Sequence, residues 1–411
     1  MTRAIVVGAG MTGLSTAWYL QEHGYDVEVI DRIGVAGGAS WGNAGWLAPG
    51  KTIPLANSSL WRYGPTALLD KDAALSVPTR IDPKLWSFVA QFMARATQRA
   101  WDKTMAALTP IDKAALGAYD ELIDGGVDAV THEKPIIAGF ENDREVAGVI
   151  DEIAGVVRHG QDVPFEKLPR AEATRCAPIF SERVESFYKI GGQRFIEPQY
   201  FCQAIAEAVT ARGGVITTGV EVTEVQSTRQ PIVQLSTGEW KTADVVVIAT
   251  GAWLSGLAKS LGVRTMVQAG RGYSFTVKPE VETKYPIYLP EKRVACTPAP
   301  TRGRFRIAGT MEFRGPDEPF QPRRIESIID VTAPMFTGID WDDIEDAWVG
   351  SRPVTPDGLP LIGRTQVPNV YTCGGHGMWG VVLGPISGKL LATQIATGVT
   401  DPILTPFDPL R

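Results

Sequence analysis

The chain has 411 residues, of which 44% are hydrophobic and 21% are charged, and its formal net charge is −6. This length exceeds what one compact core usually holds, which predicts two globular domains. The negative charge argues against a nucleic acid as a partner, because phosphate binding requires a basic surface.

The four cysteines stand apart in the sequence, at Cys176, Cys202, Cys296 and Cys373. None of them belongs to a C-x-x-C pair, which argues against a zinc site or a disulfide framework and favours a reducing compartment. The first apolar strand begins too near residue 1 for a signal peptide, and no apolar run approaches the length that spans a bilayer. We therefore expect a cytoplasmic protein without a metal site. Peripheral contact with the inner membrane stays open.

The chain begins with a pattern typical of dinucleotide binding. The apolar run Ala4–Val7 predicts a buried strand, residues 8–13 spell G-x-G-x-x-G, and helical spacing follows from Met11 to about His23. A second predicted strand, residues 26–30, ends at Asp31. Together these features predict a strand–helix–strand unit closed by an acid, which is a stronger signal than the three glycines alone.

Each residue of this pattern has a physical role. Gly8 permits the tight turn, Gly10 lets a pyrophosphate approach the backbone, and Gly13 lets helix and strand pack closely. Free N–H groups at the helix start favour the phosphates. Asp31 can accept hydrogen bonds from both hydroxyls of an adenosine ribose and would repel a 2′-phosphate. We therefore expect a bound dinucleotide, whose identity stays open at this point.

The next segment, residues 34–50, holds six glycines among 17 residues, so its backbone can approach a ligand closely. Ser40 and Asn43 could bond phosphate or ring atoms. Two tryptophans, Trp41 and Trp46, argue against a purely solvated loop. We interpret the segment as part of a binding site.

The middle of the chain reads as helices followed by a strand. Residues 51–145 carry aromatic side chains, from Trp61 to Trp101, at helical spacing, which we interpret as a buried stripe on two or three helices. Further helices are predicted at residues 145–157 and 199–212, the second closed by two glycines. Residues 219–225 then alternate like a strand.

Two further apolar strands lead into glycine-rich turns. The run Ala243–Ile248 continues into Ala-Thr-Gly, as expected of a central parallel strand that ends near a cofactor. Residues 370–384 read as strand, glycine loop and helix, and the positive end of that helix would stabilise negative charge. His376 is the one histidine of four that lies in a glycine loop.

Residues 267–311 predict an antiparallel sheet that forms a wall of the substrate domain. Arg271 and Tyr273 stand two apart, so on a strand their side chains would share a face and could enter one pocket. Tyr288 is a weaker candidate. Further along, Arg352 is followed by three prolines, and its planar guanidinium suits bidentate binding of a carboxylate. Arg352 is therefore our candidate for a substrate carboxylate.

Three of these segments resemble the FAD-dependent amine oxidoreductases of the D-amino acid oxidase class. They are the N-terminal glycine motif with its acid, S-x-x-N-A-G-x-x-x-P-G at residues 40–50, and G-x-R-P-x-T-P-D-G-x-P-x-I-G at residues 350–363. The segment 40–50 is similar to the small-subunit type of D-amino-acid dehydrogenase in particular. The family normally has Glu at the ribose acid, where this chain has Asp31.

The resemblance implies non-covalent FAD and a set of residues that bind it. The expected FAD-binding residues are Gly8, Gly10, Met11, Thr12, Gly13, Asp31, Arg32, Ser40, Asn43, Ala44, Gly45, Val222, Thr250, Gly251, Trp253, Gly377, Met378, Trp379 and Gly380. The expected catalytic or substrate-side residues are Arg271, Tyr273, Tyr288, Arg352 and His376. The covalent-flavin subclass uses a cysteine in a context that is missing here, and Cys296 is the position to check.

The resemblance also implies an α/β flavoprotein of two domains. One is a discontinuous Rossmann-like FAD-binding domain with a parallel sheet, and the other is a substrate domain with an antiparallel sheet and helices. The predicted limits of the FAD-binding domain are 1–55, 145–225, 240–265 and 340–411. Those of the substrate domain are 56–144, 226–239 and 266–339.

The expected reaction is oxidation of the CH–NH bond of a D-amino acid by hydride transfer to flavin N5. The resulting imine hydrolyses to a 2-oxo acid and ammonia. A D-proline or D-hydroxyproline dehydrogenase, a glycine or sarcosine oxidase, and a flavin-binding subunit of a larger complex remain as alternatives. The electron acceptor, which is a quinone, a partner subunit or oxygen, stays open, as does a homo- or hetero-oligomeric state.

Overall fold

The structure, a computed structural model, describes residues 2–58, 60–61, 75–78, 81–227 and 229–411. In chain order its strands are β1 (Arg3–Val7), β2 (Asp26–Asp31), β3 (Trp46–Leu47), β4 (Leu75–Ser76), β5 (His132–Glu133), β6 (Ile136–Phe140), β7 (Phe165–Leu168), β8 (Ser186–Ile190), β9 (Arg194–Phe195), β10 (Val215–Thr218), β11 (Val222–Ser227), β12 (Pro231–Leu235), β13 (Trp240–Thr242), β14 (Val245–Ile248), β15 (Gln268–Val277), β16 (Ile287–Leu289), β17 (Val294–Ala299), β18 (Arg304–Phe313), β19 (Glu345–Val354), β20 (Leu361–Arg364) and β21 (Val370–Gly374).

The α-helices within the described residues are, in chain order, α1 (Met11–Glu22), α2 (Pro83–Ala94), α3 (Gln98–Asp124), α4 (Ala147–Arg158), α5 (Arg170–Cys176), α6 (Pro198–Ala211), α7 (Leu254–Ala258), α8 (Pro322–Thr332) and α9 (Gly380–Thr397). Short 3-10 helices lie at Pro49–Lys51, Asp143–Val146, Gly251–Trp253, Lys259–Leu261, Ala333–Met335, Gly377–Trp379 and Pro402–Phe407. In this part of the chain, no helix is both long enough and apolar enough to cross a bilayer.

Six strands form the sheet that carries the dinucleotide motif. Their order is β10-β2-β1-β14-β21-β20, and all neighbours are parallel except β20 and β21. Strands β1 and β14 are apolar and almost wholly buried, which is the pattern of central parallel strands covered on both faces. Because these strands are parallel, the carboxyl ends of β1, β2, β14 and β21 meet at one edge of the sheet.

Helices α1 and α9 pack against each other inside the main apolar cluster of this sheet. Glycine permits their close crossing, because a Cβ added to Gly388 would lie 2.7 Å from the backbone nitrogen of Thr16. Helix α3 joins the same cluster, and the Tyr119 hydroxyl donates a hydrogen bond of 2.6 Å to the Val381 carbonyl of α9. Helices α1 and α9, the first and last α-helices of the described residues, therefore meet at backbone distance.

The second large sheet has nine strands and carries the wall predicted over residues 267–311. Eight of them follow the order β19-β15-β18-β17-β16-β6-β8-β7, and β4 pairs with β18. Most neighbours are antiparallel, whereas the pairs β16–β6 and β18–β4 are parallel. Helix α8 packs on one face of this sheet, where Ile325 and Ile328 lie in one apolar cluster with Tyr273 and Phe275. The opposite face of the nine-stranded sheet is therefore free to contact the rest of the chain.

The glycine-rich segment 34–50 is fastened to the nine-stranded sheet. The Ser274 hydroxyl donates to the Gly42 carbonyl at 2.7 Å, and the Thr297 hydroxyl donates to the Ala44 carbonyl at 2.6 Å. The segment also contributes β3 to a small sheet of order β3-β9-β5, while β11, β12 and β13 form a separate antiparallel sheet. These contacts hold the segment between the two large sheets.

The α/β fold class predicted from the sequence is confirmed, with a mainly parallel sheet beside a larger, mainly antiparallel one. The interpretation of the aromatic stripe as core is only partly right. Phe88 and Phe92 of α2 are buried, but Trp86 is 37% exposed and Trp61 is 60% exposed. Trp86 directly follows the buried Leu85, and one residue turns a helix by about 100°, which rotates Trp86 away from the buried face.

Strand pairing bears on the domain limits without fixing them. Strands β7, β8 and β19 belong to the nine-stranded sheet, although the predicted limits assign residues 145–225 and 340–411 to the FAD-binding domain. The segment 56–144 lies partly outside the described residues. The domain limits therefore stay a prediction.

The α1–α9 crossing gives a prediction about stability. In Gly388→Ala the added methyl group meets the backbone of α1, so we expect a loss of about 1–3 kcal/mol in the free energy of unfolding. Denaturant unfolding, followed by circular dichroism, measures this loss.

Gly117→Ala is the matched control, because Gly117 lies in α3 and an added Cβ has no heavy atom within 4 Å. That change should raise the free energy of unfolding by about 0.5–1 kcal/mol, since alanine has the higher helix propensity. Equal unfolding midpoints for Gly388→Ala and the unchanged protein would contradict the close crossing.

Candidate active site

A groove opens where the parallel strands of the six-stranded sheet end, and it reaches to β19 of the nine-stranded sheet. It lies at the carboxyl ends of β1, β2, β14 and β21, which is where open α/β sheets bind ligands. The lining residues are Val7, Gly8, Gly10, Met11, Thr12, Ile30, Asp31, Arg32, Ile33, Gly38, Ala39, Ser40, Asn43, Glu221, Val222, Thr223, Ala249, Thr250, Gly251, Ala252, Trp253, Gly256, Leu257, Ser351, Arg352, Pro353, Cys373, Gly374, His376, Gly377, Met378, Gly380 and Val381.

The turn from β1 to α1 has the geometry that its glycines predict. Gly8 has a φ of 117°, and a Cβ there would lie 2.5 Å from the Ala249 carbonyl oxygen. A Cβ on Gly13 would lie 1.9 Å from the Gly8 carbonyl oxygen, so helix and strand need glycine at both positions. Gly10 is open toward the groove, with Ser40 Oγ as the nearest atom to an added Cβ at 3.4 Å. A phosphate can therefore approach the backbone at Gly10.

The start of α1 is suited to an anion. Gly10 is the N-cap, and no described side chain caps the helix from that position. Ser40 Oγ accepts a hydrogen bond from the Met11 N–H at 3.1 Å. Free N–H groups at a helix start and the positive end of its dipole together favour a phosphate.

Asp31 lines the groove, but its carboxylate already accepts hydrogen bonds from the backbone. It accepts hydrogen bonds from the N–H groups of Ala9, Ile33 and Gly34, at 2.8, 2.8 and 3.0 Å. A carboxylate has about four lone-pair sites, so roughly one remains for a ligand. Asp31 therefore has capacity for one ribose hydroxyl rather than the two expected from the sequence.

The end of β14 supplies a further polar position. Thr250 Oγ1 is buried and has no hydrogen-bond partner among the described residues. Gly251 follows with a φ of 56° and no heavy atom within 4 Å of an added Cβ. Val222, at the start of β11, lines the same part of the groove. A buried hydroxyl without a partner is costly, and a bound ligand can satisfy it.

A three-residue contact, which we call the Asp317 clasp, joins the groove to the loop after β18. Asp317 accepts hydrogen bonds from Arg32 Nη2 at 2.7 Å and from Trp253 Nε1 at 2.9 Å. The Arg32 guanidinium also lies 4.1 Å from the centre of the Trp253 ring. Burial alone would raise the pKa of Asp317, but the hydrogen bonds from Trp253 and Arg32 outweigh it and lower the pKa.

The loop before α9 closes the other end of the groove. Residues Gly377–Trp379 form a 3-10 helix that runs directly into α9, and neither helix has a side-chain cap within the described structure. Met378 and Gly380 line the groove, whereas Trp379 points its Nε1 away to the Ile53 carbonyl at 2.9 Å. A second helix start is therefore available to stabilise negative charge in the groove.

His376 lines the groove but is 2% exposed. Its Nε2 lies 2.9 Å from Ser387 Oγ of α9. Burial lowers the pKa of His376 to about 4, so the imidazole is neutral at neutral pH. The ring is therefore held between the glycine loop and α9 in its uncharged form.

Arg352 is the cation of the groove that lacks a counter-ion. Its guanidinium lies against Gly272, where an added Cβ would be 2.1 Å away, and its Nη1 donates to the Thr310 carbonyl at 3.1 Å. No carboxylate of the described residues forms an ion pair with it. Burial lowers the pKa of Arg352 to about 10, because the charged form is desolvated.

The structure separates Arg271 and Tyr273 from Arg352. Gly270 and Gly272 of β15 face the Arg352 side, so the alternation of a strand turns Arg271 and Tyr273 to the other face. There Arg271 donates to the Pro319 carbonyl at 3.1 Å, and the Tyr273 hydroxyl donates to Glu312 at 3.2 Å. The two residues do share a face, but it is not the face of the groove, and neither residue lines the groove.

Tyr288 and Cys296 also lie outside the groove lining. The Tyr288 ring packs edge-on against Trp46 at 5.5 Å, and Lys51 Nζ lies 4.9 Å from its centre while also pairing with Glu152. Cys296 is fully buried in the apolar cluster under α8, and burial raises the pKa of its thiol. A thiol in such surroundings is unreactive.

Some of the remaining predicted residues line the groove, and others support its shape. Gly13, Ala44, Gly45 and Trp379 do not line the groove but shape it. Gly45, for example, has a φ of 74°, and an added Cβ would lie 2.1 Å from the Ile196 carbonyl oxygen. The other fifteen expected FAD-binding residues line the groove, as do Arg352 and His376.

Several residues of the site were missed from the sequence. Ser351 and Pro353 flank Arg352, and Cys373 and Gly374 end β21. The sequence signal that could have placed these four residues in the groove is that they lie next to motif residues. Asp317 carries no such signal, because it lies far along the chain in a turn between β18 and α8. Its position follows only from the tertiary structure.

These features fit FAD. Two helix starts, the open backbone at Gly10 and the partnerless hydroxyl of Thr250 all lie along one groove. Asp31 retains capacity at the expected ribose end. The groove therefore offers what an extended dinucleotide with a flavin ring requires.

Curated relatives of similar length match almost the whole chain. A D-amino acid dehydrogenase of Vibrio vulnificus is 29% identical over 406 residues, with 96% of each chain covered. A D-amino acid dehydrogenase of Xanthobacter autotrophicus is 28% identical over 411 residues, with 97% of this chain and 96% of the relative covered.

Solved structures share the fold. Glycine oxidase from Geobacillus kaustophilus superposes with a TM-score of 0.74 at 21% identity, covering 100% of this chain and 99% of the other. L-proline dehydrogenase from P. horikoshii gives a TM-score of 0.71 at 17% identity, covering 100% and 97%. At these identities the likeness concerns the fold.

The model of one protein family matches nearly the entire chain, from residue 3 to residue 394. The match includes both ends of the groove and the strand that carries Arg352. The chain belongs to the DAO family of FAD-dependent oxidoreductases.

Proposed function

We propose that this FAD-dependent oxidoreductase is a D-amino-acid dehydrogenase that oxidises the CH–NH bond at the α-carbon of its substrate. The observation that carries the proposal is the Arg352 guanidinium, which is only partly exposed at the groove and has no carboxylate partner among the described residues. The names of the curated relatives support the choice of a D-amino acid.

A guanidinium that is largely removed from water needs an anion. Removing a charge from water is costly unless it is paired, and the single hydrogen bond to the Thr310 carbonyl offsets little of that cost. The planar guanidinium matches the two oxygens of a carboxylate. A substrate with a carboxylate beside its reacting carbon therefore completes the charge balance of the site.

Other residues of the groove orient the substrate and would hold the flavin. Gly272 leaves the space that the Arg352 guanidinium occupies, so the carboxylate is fixed in one place and the α-carbon is oriented beside it. Gly377, Met378 and Gly380 would hold the pyrimidine side of the flavin ring, where their helix start favours negative charge. Bound FAD supplies the hydride acceptor.

The substrate amine must be neutral before the hydride leaves. His376 is neutral at neutral pH, and its Nε2 is engaged with Ser387, so we assign it to holding the glycine loop and assign the proton to water. The imine product then hydrolyses to a 2-oxo acid and ammonia. A cyclic amino acid would instead keep its imine in the ring, which is the outcome for a D-proline-type substrate.

Three classes of electron acceptor are compatible with this proposal. They are a quinone, a partner subunit and oxygen. Anaerobic reduction by a panel of D- and L-amino acids, followed at 450 nm, tests the substrate. Separate addition of oxygen and of a soluble quinone to the reduced protein then compares the rates of reoxidation. Bleaching by NADH alone would overturn the proposal.

Arg352 provides the direct test of carboxylate binding. Arg352→Lys keeps the charge but loses the bidentate geometry, so we expect KM for a D-amino acid to rise by about 100-fold. Arg352→Ala should raise it further. Steady-state kinetics measure the change, and the ratio of absorbance at 450 and 280 nm should remain that of the unchanged protein.

Arg364→Lys is the control, because Arg364 is exposed on β20 and does not line the groove. Its kinetic constants should not change. A KM unaffected by Arg352→Lys would remove Arg352 from the substrate site.

The buried His376 gives a prediction about pH. The folded pKa of about 4 lies below the ordinary value of 6.5, so between these values the unfolded chain binds a proton that the folded protein does not. His376 therefore makes the protein less stable as pH falls from 6.5 to 4, by at most about 3 kcal/mol. His376→Asn should flatten this part of the pH dependence of the unfolding free energy.

His23→Asn serves as the comparison, because His23 is exposed at the end of α1. Denaturant unfolding at pH 7, 5.5 and 4.5 measures all three proteins. An equally steep dependence in His376→Asn and in the unchanged protein would contradict a neutral, buried imidazole.

A further inference from the structure

Strand β18 contains a bulge beside the Arg352 guanidinium. In its pairing with β15, Arg271 is opposite Glu312 and Tyr273 is opposite Gly309. One residue of β15, Gly272, therefore faces two residues of β18, which are Thr310 and Met311. Bulges of this kind redirect side chains and are frequent near active sites.

The backbone at the bulge is in an uncommon conformation. Thr310 has a φ of 55°, in the left-handed region. A β-branched residue rarely adopts that region, and such strain persists only where the surrounding structure holds it. Glycine would remove the strain, so threonine at this position indicates a use for its side chain.

The neighbours of the bulge determine which face Thr310 occupies. A Cβ on Gly309 would meet Ile328 and Val294, and Glu312 bonds to Tyr273, so residues 309 and 312 both face the cluster under α8. The two residues between them, Thr310 and Met311, then face the opposite side. Met311 agrees with this, since its Sδ lies 3.1 Å from an added Cβ on Gly270, on the side of Arg352.

Thr310 is thus in contact with Arg352 through its backbone and carries a free hydroxyl. Its carbonyl accepts from Arg352 Nη1 at 3.1 Å. Its Oγ1 is buried and has no hydrogen-bond partner within the described residues. A buried hydroxyl without a partner is costly, and the guanidinium beside it is also short of an acceptor.

We propose that the Thr310 hydroxyl donates a hydrogen bond to the same carboxylate that Arg352 binds, which makes Thr310 a substrate-binding residue. This inference rests on the proposed function and deepens it. The carboxylate supplies the acceptor that both groups lack, so the strained bulge brings a neutral donor next to a charged one. Together they fix both oxygens of the carboxylate and not only its charge.

The test removes the hydroxyl while it keeps the shape. Thr310→Val preserves the β-branched side chain, so we expect the dissociation constant of benzoate, titrated by the flavin absorbance of the holoenzyme, to rise about tenfold because a hydrogen bond to a charged group is lost. KM for a D-amino acid should rise by a similar factor while kcat stays within about twofold. Thr310→Ser keeps the donor and should restore benzoate binding.

Thr283→Val is the matched control, because Thr283 also has a buried hydroxyl without a partner in the described part of the chain, whereas only Thr310 accepts a hydrogen bond from Arg352 there. It should bind benzoate like the unchanged protein. Unchanged binding in Thr310→Val, or equal weakening in Thr310→Val and Thr310→Ser, would overturn the role of the hydroxyl.

Arg352→Lys in the same titration distinguishes this inference from the proposed function. If Arg352→Lys weakens benzoate binding and Thr310→Val does not, only the assignment of Thr310 fails. If neither change has an effect, the carboxylate site at Arg352 fails as well. A loss of unfolding free energy in Thr310→Val together with unchanged binding would mark a purely structural residue and would also overturn the inference.

Discussion

A partly buried guanidinium that has no counter-ion among the described residues is the constraint on which this site depends. Arg352 has one hydrogen bond to a backbone carbonyl, and burial already lowers its pKa to about 10. The surrounding sheet can hold such a charge only because Gly272 of β15 leaves space for the guanidinium, and because a bulge in β18 presents the Thr310 carbonyl. The charge remains unbalanced until an anion is bound.

The sequence allowed the local parts of the fold to be predicted, because each depends on residues close together in the chain. The turn at Gly8 to Gly13, the Ala-Thr-Gly turn after β14 and the start of α9 all have the expected form. Arg352 also lies in the groove as expected. In the three turns a strand, a glycine-containing turn and a helix fix the position of the site residues, whereas Arg352 lies in β19, which is held by its pairing with β15.

Properties that depend on distant segments could not be predicted. The spacing of Arg271 and Tyr273 correctly implies a common face, but only the pairing of β15 with β18 and β19 decides which face meets the groove. In the same way, Asp31 belongs to the groove, yet its three backbone partners, which reduce its capacity for a ribose, follow from the folded turn. The left-handed conformation of Thr310 has no signature in the sequence.

The close packing of α1 and α9 has a consequence for how the protein is made. The groove takes one wall from residues 7–12 and another from residues 373–381, so the phosphate-binding turn leaves the ribosome long before the segment that completes it. Domains that are contiguous in sequence can fold during synthesis, whereas this groove cannot form until residues 373–381 have been made. Flavin can therefore bind to the complete groove only after that segment has been synthesised.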